Sequence, residues 1–197
     1  MSTENAFETE VKIPVPQWTA DDATKRFAHV GLHVIASRIF EANFVFDTPQ
    51  QSIRGAQMLL RLRRVGERTI LTWKGPPIPG PHKSRPELEV QIDSFDSMHQ
   101  ILDHLGYKTY FRYEKYRTEF GAAAGLDSLS SGTATFDETP IGNFIELEGR
   151  ASWIDEMASQ LGFSANDYVL ESYGRLYFAH CAKEGVQPLN MTFPFVS

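Results

Sequence analysis

Along most of this chain apolar and polar side chains alternate with period two. The pattern holds over Phe7 to Ile13, Ser37 to Asp47, Met58 to Val65, Arg68 to Lys74, Arg85 to Ile92, Lys108 to Phe120, Thr133 to Asp137 and Asn143 to Gly149. Alternation of this kind predicts strands. A period near 3.6 predicts helices at Ala20 to Val30, Asp96 to Leu105, Ala151 to Leu161 and Asp167 to Lys183. Asp96 is the expected cap of the second of these, and Gly31, Gly106 and Gly162 are expected to end the first three. Gly75 to Ser84, GPPIPGPHKS, is too rich in proline and glycine for regular structure and predicts a loop between two strands. Gly121 to Gly132, small and Ser/Gly-rich, predicts a second. Strands outnumber helices and mostly follow one another directly, so the expected class is α+β with antiparallel pairing.

The faces of these strands carry more information than their positions. Phe7, Val11 and Ile13 oppose Glu8, Glu10 and Lys12. Phe40, Ala42, Phe44 and Phe46 oppose Glu41, Asn43 and Asp47. Met58, Leu60 and Leu62 oppose Arg61 and Arg63, and Leu71 and Trp73 oppose Thr72 and Lys74. Leu88, Val90 and Ile92 oppose Arg85, Glu87, Glu89 and Gln91. Lys115, Arg117 and Glu119 share a face, and Ile145 and Leu147 oppose Glu146 and Glu148. Each strand has one apolar and one charged face, with both signs of charge on the same face. Two architectures satisfy this. One is a sheet whose charged face is solvated and ion-paired. The other is a closed barrel with helices over an apolar outside and charge lining the lumen.

Composition narrows the function. With 25 acidic and 19 basic residues the net charge is -6, which argues against nucleic acid or an anionic membrane as partner. Any polyanion must therefore meet basic residues concentrated in one place. No stretch is long and apolar enough for a transmembrane helix. Met1 to Phe7 lacks the regions of a signal peptide. A single cysteine, Cys181, excludes an internal disulfide and a cysteine zinc site, and the expected location is the cytoplasm. The histidines show no metal-ligand spacing.

The charged positions fall into ordered motifs. Glu8-x-Glu10-x-Lys12 opens the chain, followed by Leu60-Arg61-Leu62-Arg63, Leu71-Thr72-Trp73-Lys74-Gly75-Pro76, Arg85-Pro86-Glu87-Leu88-Glu89-Val90 and Glu114-Lys115-Tyr116-Arg117. Phe136-Asp137-Glu138-Thr139-Pro140 leads into Phe144-Ile145-Glu146-Leu147-Glu148-Gly149. In this order the motifs resemble the CYTH family, the triphosphate tunnel metalloenzymes, over roughly Phe7 to Phe178. That family includes class IV adenylate cyclases, thiamine triphosphatases and inorganic tripolyphosphatases. The resemblance implies a closed eight-stranded antiparallel barrel with a polar lumen and helices outside. It further implies a single domain over 1–197, with its core at about 7–183 and a tail at 184–197.

By the same resemblance Lys12, Arg61, Arg63, Lys74, Arg85, Lys115 and Arg117 bind the phosphates. Arginine forks suit paired phosphate oxygens and lysine supplies compact charge. Metal binding falls to Glu8, Glu10 and Glu146, with Asp137 and Glu148 as further ligands, and Glu10, Lys12 and Glu146 form the catalytic set. Glu87 and Glu89 either bind metal or orient the basic residues. Carboxylate oxygens suit Mg2+ or Mn2+. The implied reaction is class IV cyclase-like, ATP to cyclic AMP and pyrophosphate. The alternatives are hydrolysis of thiamine triphosphate or tripolyphosphate, and a barrel that binds a phosphorylated ligand without turnover.

Glu171-Ser172-Tyr173-Gly174-Arg175-Leu176 looks like the Ser-Tyr segment of class IV cyclases. Leu170, Tyr173, Leu176 and Tyr177, three and four apart, read as the packing stripe of a helix, with Ser172 and Tyr173 within reach of a tunnel mouth. The tail, Val186 to Val196, covers either the barrel or a neighbouring subunit, the second implying a homodimer.

Overall fold

The computed structural model describes residues 7–122 and 132–194. Eight strands appear: β1 (Phe7–Pro14), β2 (Leu32–Asp47), β3 (Leu59–Val65), β4 (Arg68–Lys74), β5 (Lys83–Ile92), β6 (Lys108–Ala122), β7 (Thr133–Thr139) and β8 (Gly142–Glu148). Every ladder is antiparallel and the sheet closes on itself in the order β1-β5-β4-β3-β2-β6-β7-β8. Closure removes both sheet edges. The sequence left an open sheet and a barrel as alternatives; the β1–β8 ladder, Glu10 to Pro14 against Glu148 to Phe144, decides for the barrel.

The helices are α1 (Ala20–His29), α2 (Ser52–Gly55), α3 (Phe95–His104), α4 (Ala151–Gln160) and α5 (Tyr173–Glu184). Local chemistry sets their ends. Thr19 caps α1 through a reciprocal box with Asp22. The cap of α3 is Ser94, whose hydroxyl accepts from the Ser97 amide, and not Asp96, which lies in the first turn. Gly31, Gly106 and Gly162 follow their helices in the left-handed conformation, as the sequence predicts.

Most bounds shift by one or two residues, and three shifts bear on the site. β2 begins at Leu32, because its first residues pair with the far end of the long β6 across register shifts. The last helix begins at Tyr173, because Ser164 and Asp167 make their own reciprocal cap around a 3-10 turn, Ala165–Asp167, and Val169 then pairs with Lys12. Lys83 and Ser84, assigned by sequence to the loop, belong to β5. Residues 123–131 of the second predicted loop lie outside the described residues.

Outward apolar residues make two cores. Val11, Ile13, Phe120, Phe136, Ile145 and Leu147 pack with Phe27 of α1 and Ile154 and Met157 of α4. Phe46 and Leu62 pack under Leu102 of α3. The helical cover expected from the alternation is incomplete. Leu88 and Val90 of β5 are 56% and 53% exposed, because the cluster under α3 centres on Phe46 of β2 and Leu62 of β3 and takes in only Ile92 at the end of β5. A third cluster lies across one end of the barrel. There the inward alternation turns apolar at Val45, Phe111 and Phe144, and these meet Tyr173 of α5 and the fully buried Met191. The tail thus covers its own barrel. Met191 exchanges backbone hydrogen bonds with Arg112 and Glu114 on β6, and the Arg112 amide donates to Asn190.

Candidate functional site

The inward faces enclose a cavity of about 450 Å³. Strand alternation brings Glu8, Glu10 and Lys12 in from β1, Arg61 and Arg63 from β3, Lys74 from β4 and Arg85, Glu87 and Glu89 from β5. Lys115 and Arg117 enter from β6, and Glu146 and Glu148 from β8. Register stacks them: Glu8 opposite Arg85, Lys12 opposite Glu146, Glu10 opposite Glu148, and Lys74 opposite Glu87.

The charges form chains of pairs. Lys12 Nζ lies 3.1 Å from Glu10 and 3.0 Å from Glu146. Arg117 bridges Glu146 and Asp137, and Lys115 reaches Asp137 at 2.9 Å and Glu41 at 3.5 Å. One oxygen of Glu89 accepts from Thr72 at 2.6 Å and from Arg61 and Arg63, both at 3.2 Å. Lys74 lies 2.5 Å from Glu8 and 2.9 Å from Glu87. Arg85 is held most loosely, with its nearest carboxylate, Glu8, at 3.6 Å and its buried Nε without a hydrogen bond.

These contacts set the protonation states. Burial pushes the Glu10 carboxyl up, but Lys12, Lys83 and Lys74 outweigh it and hold the group well below the ordinary carboxylate range. Burial is likewise overcome at Glu146 by Lys12, Arg117 and Lys115, and at Glu41, held at about 2, by Lys115, Arg117 and Arg63. Glu87 and Glu148 go the other way. Burial, then Glu8, pushes Glu87 up to about 7 against the pull of Lys74. Desolvation, then Glu8 and Glu10, pushes Glu148 up to about 7; its side chain keeps one face in solvent, which tempers the effect.

Asp137 does not line the cavity. It has no solvent exposure, and its oxygens accept from Lys115, Arg117 and the Tyr173 hydroxyl. Among the described residues no three carboxylate, histidine or cysteine side chains stand close enough to hold a metal ion by themselves. Of the five acidic residues picked out as metal ligands, Glu8, Glu10 and Glu146 are each held by a lysine, Glu148 lines the cavity without an ion-pair partner among the described residues, and Asp137 lies outside the lining.

Sequence reasoning missed Lys83. Its ammonium is 2.6 Å from Glu10 Oε1, and burial with Lys12 nearby lowers it to about 8. Lys83 shares parity with Arg85, Glu87 and Glu89, a signal hidden by the proline-rich run before it. Glu41, noted only for its parity, joins Arg63 to Lys115. Tyr113 accepts a hydrogen bond from Arg61 at 3.1 Å. Tyr173 does reach the cavity, where its ring lies 5.2 Å from Lys12 Nζ and 5.3 Å from Lys115 Nζ.

A closed antiparallel barrel of this order, lined by interleaved arginine, lysine and carboxylate, defines a charged-lumen tunnel protein. Residues 6–173 match the CYTH domain, and the chain belongs to that family. It is 28% identical over 155 residues to a candidate adenylate cyclase of Methanocaldococcus jannaschii, covering 76% of this chain and 80% of the relative. The structure of a candidate adenylate cyclase from Vibrio parahaemolyticus superposes with a TM-score of 0.72 at 22% identity, over 88% of this chain and 98% of that one. A candidate adenylyl cyclase from Hippeastrum, described with a dominant triphosphatase activity, superposes at 0.58 and 14% identity, over 92% of this chain and 97% of that one.

Proposed function

We propose that this chain is a divalent-metal-dependent enzyme that converts ATP to cyclic AMP and pyrophosphate within the barrel. One observation carries the proposal: eight basic side chains, Lys12, Arg61, Arg63, Lys74, Lys83, Arg85, Lys115 and Arg117, face one cavity inside a closed sheet. Their charge is balanced by carboxylates on the same strand or on strands one or two places away. A triphosphate entering alone would displace those carboxylates and leave them buried without partners, at high cost. A cation entering with it removes the conflict.

The donor set fits such an ion. Glu8, Glu10, Glu146 and Glu148 lie on the adjacent strands β1 and β8, and Glu148 has no basic partner among the described residues. One or two carboxylates with substrate phosphate oxygens are the usual ligands of Mg2+, so a preformed group of three is not required. The bound ion would neutralise phosphate charge and lower the proton affinity of the attacking oxygen. Asp137, already saturated, stands outside the set. Its part is to hold Lys115 and Arg117 toward the lumen. Arg61, Arg63 and Arg85 would trade Glu89 and Glu8 for phosphate oxygens, and Lys12 would stay between Glu10 and Glu146. Because Glu10 and Glu146 are held ionised, they suit cation binding better than proton transfer.

A second reading, triphosphate hydrolysis, draws on the lining. Phe7, Leu59, Tyr113 and Tyr173 are its apolar and aromatic members, four among a lining made mostly of charged side chains suited to phosphate. The Hippeastrum relative's dominant triphosphatase activity points the same way. Both reactions use the same phosphate cradle and differ in whether the ribose hydroxyl or water attacks. The test is a product assay with ATP, thiamine triphosphate and tripolyphosphate, each with Mg2+ and with Mn2+. Cyclic AMP with equimolar pyrophosphate supports the cyclase. Orthophosphate release supports the hydrolase. Binding without turnover under all conditions would overturn both and leave a binding barrel.

A further inference from the structure

Lys83 owes its place to contacts made outside the barrel wall. The β1–β5 ladder ends at the pair Glu10 and Lys83. The segment before it, residues 75–82, holds four prolines and two glycines. Such a segment has few amides to pair, and the end of a ladder frays unless something holds it. His82 supplies the hold. It is buried, and its Nε2 lies 2.8 Å from Asp155 Oδ1 on α4. The same oxygen accepts the Tyr168 hydroxyl at 2.9 Å, and the His82 and Tyr168 rings lie 5.8 Å apart. The next residue, Val169, pairs with the backbone of Lys12 in both directions, at 3.2 and 2.8 Å. Lys12 and Lys83 share Glu10 Oε1 at 3.1 and 2.6 Å, so both are tied to the segment that follows α4. Neighbouring residues of an extended chain face opposite ways, so holding His82 outside directs Lys83 inside.

We infer that Asp155 is a positioning residue, acting through His82 to hold Lys83 against Glu10 in the lumen. The inference rests on the lumen being a triphosphate site. Asp155 lies on the outer surface, with 54% of its side chain exposed, and a hydrogen bond to so exposed a carboxylate contributes little stability by itself. Its effect should therefore appear in ligand binding and depend on Lys83.

The test is tripolyphosphate affinity, measured by calorimetry on the full chain with and without Mg2+. Asp155→Ala, His82→Phe and Lys83→Ala should each weaken binding about tenfold, the size of one lost charge-assisted contact. The double variant Asp155→Ala with Lys83→Ala should bind no more weakly than Lys83→Ala alone. Asp155→Asn, which keeps an acceptor oxygen for both donors, should stay within about twofold of the wild type. The Ile78 amide, bonded to the Ser84 carbonyl at 2.7 Å, should exchange faster in Asp155→Ala without any ligand. Additive losses, an unaffected Asp155→Ala, or unaltered Ile78 exchange would overturn the positioning role and leave the triphosphate site standing. A wild type that binds no tripolyphosphate would remove the site and the inference together.

Discussion

The hydroxyl of Tyr173, in the first turn of α5, donates at 2.7 Å to Asp137, a carboxylate with no solvent exposure. The same oxygen accepts from Lys115 at 2.9 Å and Arg117 at 2.6 Å. Asp137 is therefore the joint between the end helix and two lumen cations. Tyr173→Phe keeps the ring packing and removes one donor, a loss of about 1 kcal/mol. Asp137→Asn leaves two buried cations short of charge, a loss of about 3–5 kcal/mol. Urea denaturation of both variants checks the order, and equal losses would sink the assignment.

Glu146 and Glu148 sit two residues apart on β8 and should respond oppositely to loss of charge. Glu146 is held by Lys12 and Arg117, so Glu146→Gln should lower both turnover and stability. Glu10→Gln should do the same, since it deprives Lys12 and Lys83 of a partner. Glu148→Gln relieves a crowd of like charge, so metal-free stability should hold or rise while turnover still falls. On the proposed function the turnover losses are about a hundredfold or more, because metal-assisted charge neutralisation accounts for several kcal/mol of the barrier. Steady-state rates and thermal melts on the same three proteins separate the roles.

Stability without metal should peak in mildly acid solution. Glu87 and Glu148 are raised from 4.5 to about 7, so the folded state binds protons more tightly there than the unfolded chain does. Their contribution is fully present below about pH 4.5 and is lost as pH rises toward 7. Glu10, Glu41 and Glu146 are lowered, so theirs is present above about pH 4.5 and is lost as acid protonates them. A melting temperature that falls between pH 5.5 and 8, and that Mg2+ restores more at pH 8, is the expected result. A metal-free profile flat over that range would count against it.

Arg85 should separate binding from folding. Its nearest carboxylate is 3.6 Å away, so Arg85→Met should change stability by no more than about 1 kcal/mol. Tripolyphosphate affinity should fall about tenfold or more, with a shallower salt dependence than the wild type. Calorimetry at two ionic strengths measures both effects.

The tail offers a purely structural check. Met191 has no solvent exposure, whereas Leu189 is 74% exposed. Met191→Ala should cost about 2–5 kcal/mol and Leu189→Ala almost nothing. Chemical denaturation of the two variants would show whether the tail packs on its own barrel as described.

Much of this architecture was legible in the chain. Glu8, Glu10 and Lys12 share a face because strand alternation leaves no other arrangement, and the same holds for Arg61 with Arg63 and for Glu146 with Glu148. Local chemistry placed the glycines that end three helices. It misled at Asp96, since a serine two residues earlier competes for the same cap. At Lys83, proline density concealed the start of a strand whose partner, β1, lies more than seventy residues away.

Parity along each strand thus determined which side chains could face a common interior, and the order of charged motifs determined the family. Only the tertiary structure decided which carboxylate meets which cation. That depends on the register between strands distant in sequence, as where Lys12 meets Glu146 across β1 and β8, and on a helix end that delivers Tyr173 to Asp137. Neither distance is encoded locally. Both follow from closing the sheet, which forces opposite charges into one low-dielectric space where each must find a partner.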